Sequence, residues 1–323
     1  MNNAHRRFAV LLLLLCAAAL AAARKPPKPP AVDPTVIEGV ANDAPPIFKA
    51  PPEEVPVLRL GTAAKGSERM TNVVLVTVDP QGFIYTGDVD AGRVLRFTPE
   101  GKFESLFFIA EPRRPWTGLA ADRGGIVFVA TGGRLFRYAG ASGTLLGEVK
   151  HPDGAGFFHV APRPDSGVVA SWHNAQRDDL VLVGGDGAIE TIHRDAVSGA
   201  AGEPVGDVLV AMDGRRTIYA AADRLHAVCI FKFTGEYENR FGSEGDEDGQ
   251  FSGPIAGLTA DGQGQIFVSD AKGVSVLLVK DGSFVRRLEV KGAGIAIDDD
   301  DALFAAAGTE VAKYRVPPPP RDD

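Results

Sequence analysis

A closed ring of six four-stranded antiparallel blades, an all-β six-bladed β-propeller, is the fold class this sequence predicts, and three observations predict it. A turn residue followed by a β-rich run recurs six times at close to one blade's spacing. Each copy is flanked by short apolar runs punctuated by Gly, Asp and Pro. No long stretch carries the 3.6-residue apolar period of an amphipathic helix. The 323 residues are 45% hydrophobic and 24% charged, enough apolar material for a large core.

The recurring anchors are Gly82-Phe83-Ile84-Tyr85, Gly125-Ile126-Val127-Phe128 and Gly167-Val168-Val169-Ala170, then Arg216-Thr217-Ile218-Tyr219, Gly264-Gln265-Ile266-Phe267 and Asp301-Ala302-Leu303-Phe304. Their fourth residues are stepped by 43, 42, 49, 48 and 37 positions, where one blade takes about 40–45 residues. Six anchors predict six blades. Before each anchor an apolar run ends at a turn, as in Val76-Thr77-Val78-Asp79, Leu119-Ala120-Ala121-Asp122, Leu258-Thr259-Ala260-Asp261 and Ile295-Ala296-Ile297-Asp298. Asp213 holds the same place in the fourth copy, whereas the third departs with Pro162-Arg163-Pro164. These aspartates read as turn formers, because a short carboxylate accepts from backbone N–H groups two residues on. A catalytic carboxylate ring is the competing reading.

An apolar residue three before a terminal aromatic or valine marks each third strand: Val94 with Phe97, Leu135 with Tyr138, Leu180 with Val183, Ile230 with Phe233, Val276 with Val279 and Val311 with Tyr314. Gly-containing turns lead on to fourth strands at Phe103, Ile189 and Phe284. The last copy has no fourth strand, since Tyr314-Arg315-Val316 runs into four prolines. The segment Val55-Pro56-Val57-Leu58-Arg59-Leu60 precedes the first blade and has a strand's length and character. It is expected to return as the outer strand of blade six, closing the ring and covering a raw edge. Pro56 suits an edge, where a missing donor is tolerated.

Residues 1–23 read as a secretory signal: Arg6 and Arg7, the apolar run Phe8 to Leu15, then Ala21-Ala22-Ala23 before Arg24. The run is too short for a span, and no transmembrane segment is expected in the mature chain. The protein is therefore expected outside the cytoplasm: periplasmic, in the envelope, or secreted. Lipid attachment through Cys16 is the alternative, though Leu13-Leu14-Leu15 lacks the small residue such signals carry before the cysteine. Residues 24–54 hold nine prolines and read as an extended tether. The propeller is assigned to 55–316, and 317–323 to a disordered tail. With 34 basic and 42 acidic residues the charge is −8, or −10 once the leader leaves, which argues against nucleic acid. Cys229 would be the one cysteine of the mature chain and reads as a core residue.

The run Phe241-Gly242-Ser243-Glu244-Gly245-Asp246-Glu247-Asp248-Gly249-Gln250-Phe251-Ser252-Gly253-Pro254, with Gly257-Leu258-Thr259-Ala260-Asp261 and Gln265-Ile266-Phe267-Val268-Ser269-Asp270 after it, resembles an NHL repeat. That resemblance implies a six-bladed propeller over about Val73 to Val316. It is strongest in blade five and weakest in blades three and four. It implies no activity, since propellers host unrelated functions.

Two enzyme types occur on similar scaffolds. Amidating lyases hold zinc through histidines at inner-strand starts. Here His159 sits at such a position, but its counterparts are Thr117, Gly257 and Gly294, and one imidazole cannot supply three ligands. Lactonase-type propellers place Glu, Asn and Asp around a central calcium, and Asn72 and Asp207 lie near inner-strand starts. The acidic runs Glu244 to Asp248 and Asp298 to Asp301 lack an EF-hand pattern. No catalytic residue, metal or cofactor is therefore expected, and a metal-dependent hydrolase or lyase at the central channel is the alternative.

What remains is a binding surface. The loops from outer to next inner strand, and from second to third strand, share one face. That face would carry Arg113, Arg114 and Trp116 beside His159, His173, Asn174 and Arg177. An exposed Trp flanked by arginines is the composition of an interface anchor; packing of Trp116 between blades is the other reading. The expectation is a monomeric, non-catalytic module binding a protein, peptide or glycan.

Overall fold

Each anchor run forms the second strand of a blade, and its neighbours supply the rest. The structure, a computed structural model, describes residues 55–61 and 65–319. The signal at 1–23, Cys16 and the tether at 24–54 lie outside the described residues. Blade one comprises Val73–Val78, Ile84–Asp88, Arg93–Phe97 and Phe103–Phe108, from the axis outward. Blade two is Trp116–Ala121, Ile126–Thr131, Arg134–Ala139 and Leu145–Val149; blade three is Phe157–Pro162, Val168–His173, Asp178–Val183 and Ile189–Arg194. Blade four is Val208–Met212, Ile218–Ala222, Ala227–Phe231 and Tyr237–Phe241; blade five is Gly257–Ala260, Gln265–Asp270, Gly273–Leu278 and Phe284–Leu288. Blade six takes Gly294–Ile297, Ala302–Ala307 and Glu310–Arg315 from the C-terminal end and Leu58–Leu60 from the N-terminal end.

The closure is as the sequence predicts. Leu58 pairs with Lys313 and Leu60 with Val311, antiparallel, and the Val57 N–H donates to the Lys313 carbonyl. In blades one to five the pairing of third and outer strands slips by one residue near the end of the third strand, as at Arg96/Phe97 and Leu182/Val183. Hairpin turns with a left-handed glycine, Gly101 or Gly187 for example, sit directly after these slips. A type I turn closed by such a glycine brings a bulge with it. Blade six pairs without a slip, because no hairpin joins those two strands.

The core is six apolar seams, one between each pair of neighbouring blades, the blade-six to blade-one seam included. Second strands face a seam on both sides, so Ile84–Asp88 and Ile218–Ala222 are buried at every residue. That two-sided burial is why the anchors are continuous apolar runs rather than alternating ones. Outer strands face water on one side, and Tyr237–Phe241 is mostly exposed.

The aspartates before the anchors form the turns. Asp79 Oδ1 accepts from the N–H groups of Gln81 and Phe83, and Asp122, Asp213, Asp261 and Asp298 repeat the pattern. The second oxygen turns into the blade, meeting the Tyr85 hydroxyl at 3.1 Å and the Tyr219 hydroxyl at 2.9 Å. Burial, with the Asp79 carboxylate close by, pushes the Tyr85 phenol up to about 12. Arg163 takes the aspartate's place in blade three and is held by Asp165 and Glu190.

Two details differ from expectation. The third strands of blades four and five end at Phe231 and Leu278, short of Phe233 and Val279. A short helix, Ala196–Ala201, follows blade three; the Asp178 carboxylate accepts from Val197 and Ser198 N–H at 2.8 and 2.7 Å. The Arg286 guanidinium donates to the carbonyls of Pro317 and Pro318 at 2.8 and 3.3 Å. No helix among the described residues is long and apolar enough to cross a membrane.

Candidate functional site

The ring has two faces. One carries the connections from outer to next inner strand and from second to third strand; we call it the loop face. The other carries the aspartate turns and hairpins; we call it the turn face. Between them the six inner strands leave an axial channel of about 80 Å³, walled mainly by aliphatic side chains. Thr117, His159, Gly257 and Gly294, the four positions the repeat aligns, all line it.

His159 is fixed on both sides. Its backbone N–H donates to Ser171 Oγ at 3.0 Å, and that hydroxyl donates to the Val208 carbonyl at 2.6 Å. Its Nδ1 accepts the Val210 N–H at 3.1 Å, so the ring proton sits on Nε2. Desolvation pushes the imidazole down to about 4, opposed only by that hydrogen bond. The ring is neutral at pH 7.

This channel does not fit a calcium or a catalytic zinc. Calcium takes six to eight oxygen ligands, and the positions around the loop-face end supply a threonine, one imidazole and glycines. Asn72 Nδ2 donates to Asp90 at 3.1 Å, and Asp207 pairs with His173 at 3.2 Å. Neither lines the channel.

The remaining predicted residues divide sharply. Arg113 and Arg114 are exposed on the loop before blade two. Trp116 is not an exposed anchor: it is 8% exposed and packs in the seam between blades one and two. Gly87 lies beside it, close enough that a Cβ there would be in van der Waals contact with the indole carbons at 3.4 Å. His173 sits edge-on to Phe158, with ring centroids 5.9 Å apart, as well as pairing with Asp207. Asn174 is a turn former, its Oδ1 accepting from Gln176 and Arg177 N–H. Arg177 is spent on Asp179 at 3.0 Å and Asp153 at 2.6 Å.

That last contact belongs to a network the sequence reading missed. His151 is fully buried in its side chain, stacked on Trp172 at 4.1 Å, with Nε2 3.4 Å from the buried Asp179. Arg194 joins Arg177 on Asp153, and these two hydrogen bonds hold the Asp153 carboxyl below its usual range. Burial lowers the His151 pKa, the neighbouring carboxylates opposing it. Among the described residues, His151, Asp153 and Asp179 are the group of histidine and acidic side chains with metal-ligand spacing. Two guanidiniums already neutralise both carboxylates, and Nδ1 accepts the Asp153 N–H at 3.2 Å, which leaves the proton on Nε2. The arrangement is a clamp between a loop and blade three. It joins two segments, with Asp153 and Arg177 24 residues apart, so no local motif announces it.

Two larger concavities flank the channel. On the loop face an open groove of about 1120 Å³ lies at blades five and six. Three loops, contributing Pro254, Lys272 and Lys291, wall it together with the strand residue Glu310, and Val55 and Pro56 lie at its N-terminal side. On the turn face a mouth of about 380 Å³ is ringed by the aspartate turns, with Arg123 and Asp299 among its lining residues.

No protein-family model matches this chain, and no curated protein matches it. A solved structure described as a candidate gluconolactonase is similar in fold, with a TM-score of 0.59 over 76% of this chain and 89% of that one, at 15% identity. Identity at that level shows the six-bladed fold and nothing finer.

Proposed function

We propose that this protein is an exported, non-catalytic binding module whose loop face takes a protein segment, peptide or glycan chain. The observation that supports it is the loop-face groove. At about 1120 Å³ it is far larger than the channel, open to solvent, and lined by both charges and small side chains. A small-molecule enzyme site is a closed pocket with converging polar groups, whereas an open groove suits an extended ligand. Arg113 and Arg114 stand exposed on the same face. The NHL-like motif of blade five ends in the loop that contributes Pro254 to the groove.

The test is capture of a partner from native envelope by the intact protein and by a Lys291→Glu/Arg113→Glu/Arg114→Glu variant. The variant should lose the partner and keep its urea midpoint, because all three side chains are exposed. Equal capture by both proteins would remove the loop face from consideration. The second reading, a hydrolase like the gluconolactonase candidate it resembles in fold, predicts hydrolysis of D-glucono-δ-lactone stimulated by divalent ions. We expect no rate above the uncatalysed one.

A further inference from the structure

The turn face carries a second site, and its chemistry differs from that of the groove. Asp79, Asp213 and Asp261 reach this mouth but are consumed by their turns. Asp298 is held by its own turn and by Lys313, Asp301 accepts from the Gly262 N–H and the Gln263 side-chain amide, and Arg163 is paired with Asp165 and Glu190, which leaves the Arg123 guanidinium and the Asp299 carboxylate. Arg123 of blade two and Asp299 of blade six approach to 3.6 Å across the mouth, in front of blade one. That is longer than a good hydrogen bond. Both side chains are about half exposed, at 47% and 63%, so the pair is weak and parts at little cost. Each is presented by a rigid turn: Asp122 bonds the N–H groups of Gly124 and Ile126, and Asp298 those of Asp300 and Ala302.

Beneath the pair the inner strands end in apolar side chains. Val78, Ala161, Met212 and Ile297 line the mouth. The volume, about 380 Å³, is within the range that small-molecule pockets occupy. A free guanidinium alone would suit an anion, and a free carboxylate alone a cation. Opposite charges side by side over an apolar floor suit a ligand that carries both.

We propose that the turn-face mouth binds a zwitterionic α-amino acid with an apolar side chain. Its carboxylate replaces Asp299 on Arg123 through a charge-assisted, two-pronged contact. Its ammonium takes Asp299, and its side chain enters toward Met212 and Ile297. The surplus of carboxylates around the mouth steers the ammonium end in.

Calorimetric titration of the full chain with L-leucine, N-acetyl-L-leucine and L-leucinamide tests this. L-leucine should bind one to one, and each blocked derivative about tenfold to a hundredfold more weakly. Arg123→Ala should reduce L-leucine to the level of L-leucinamide, and Asp299→Asn to that of the N-acetyl derivative, with unchanged urea midpoints. Saturation absent at millimolar L-leucine would overturn the proposal. So would L-leucinamide binding as tightly as L-leucine, which would make the mouth a simple cation hole, or L-leucine binding that ignores both substitutions.

Discussion

His159 makes the stability of this propeller depend on pH in a calculable way. Its imidazole is pushed down to about 4 by burial in the channel wall, while in the unfolded chain it titrates near 6.5. Between these values the unfolded state holds a proton that the folded state lacks, so acidification favours unfolding by about 1.4 kcal/mol per pH unit. From pH 7.5 to pH 5 the loss sums to about 2 kcal/mol. His151 and His193 are also lowered by burial and act in the same direction, so the contribution must be isolated by difference. His159→Gln keeps an acceptor for the Val210 N–H but cannot titrate. Urea denaturation of both proteins at pH 7.5, 6.5, 5.5 and 5 should show the stability gap moving by about 2 kcal/mol in the variant's favour as pH falls. Parallel pH profiles for the two proteins would refute the placement of a neutral, desolvated imidazole in the channel.

Other substitutions probe the frame. Asp213→Ala removes the acceptor of two backbone N–H groups and the Tyr219 hydroxyl at a site 5% exposed; it should cost about 2–4 kcal/mol in urea melts, and a loss within error would dismiss the aspartate turns as structural elements. Leu60→Ala, at 3% exposure in the closing strand, should cost about 2–4 kcal/mol and raise hydrogen exchange in blade six before the other blades. Exchange rising uniformly would contradict a separate closing strand. Burial pushes the Cys229 thiol up to about 11, so Ellman's reagent should not react until denaturant is added. Prompt labelling of the native protein would place that cysteine outside the core.

The blade anchors were legible because two-sided burial writes a continuous apolar run into every second strand. The turn aspartates were legible because their hydrogen bonds are local, spanning two and four residues. Closure through Leu58–Leu60 could be read from a missing fourth strand at one end and a spare one at the other. Trp116 could not be placed, since its burial depends on the seam with blade one. Arg177 looked free because Asp153, the partner that binds it alongside Asp179, lies 24 residues upstream. The helix Ala196–Ala201 is too short to show a period, and its cap comes from Asp178 in another strand. The groove is assembled from three separate loops and a strand end. Local chemistry was visible, and contacts between distant segments were not.

Whether the axis of the ring holds an ion decides between recognition and metal-assisted hydrolysis. Elemental analysis of the purified chain after calcium loading and dialysis measures this directly. A threonine, one imidazole and glycines at the loop-face end predict only trace, substoichiometric calcium and zinc. One retained divalent ion per chain, lost on replacing His159, would contradict the account and move the function to the channel.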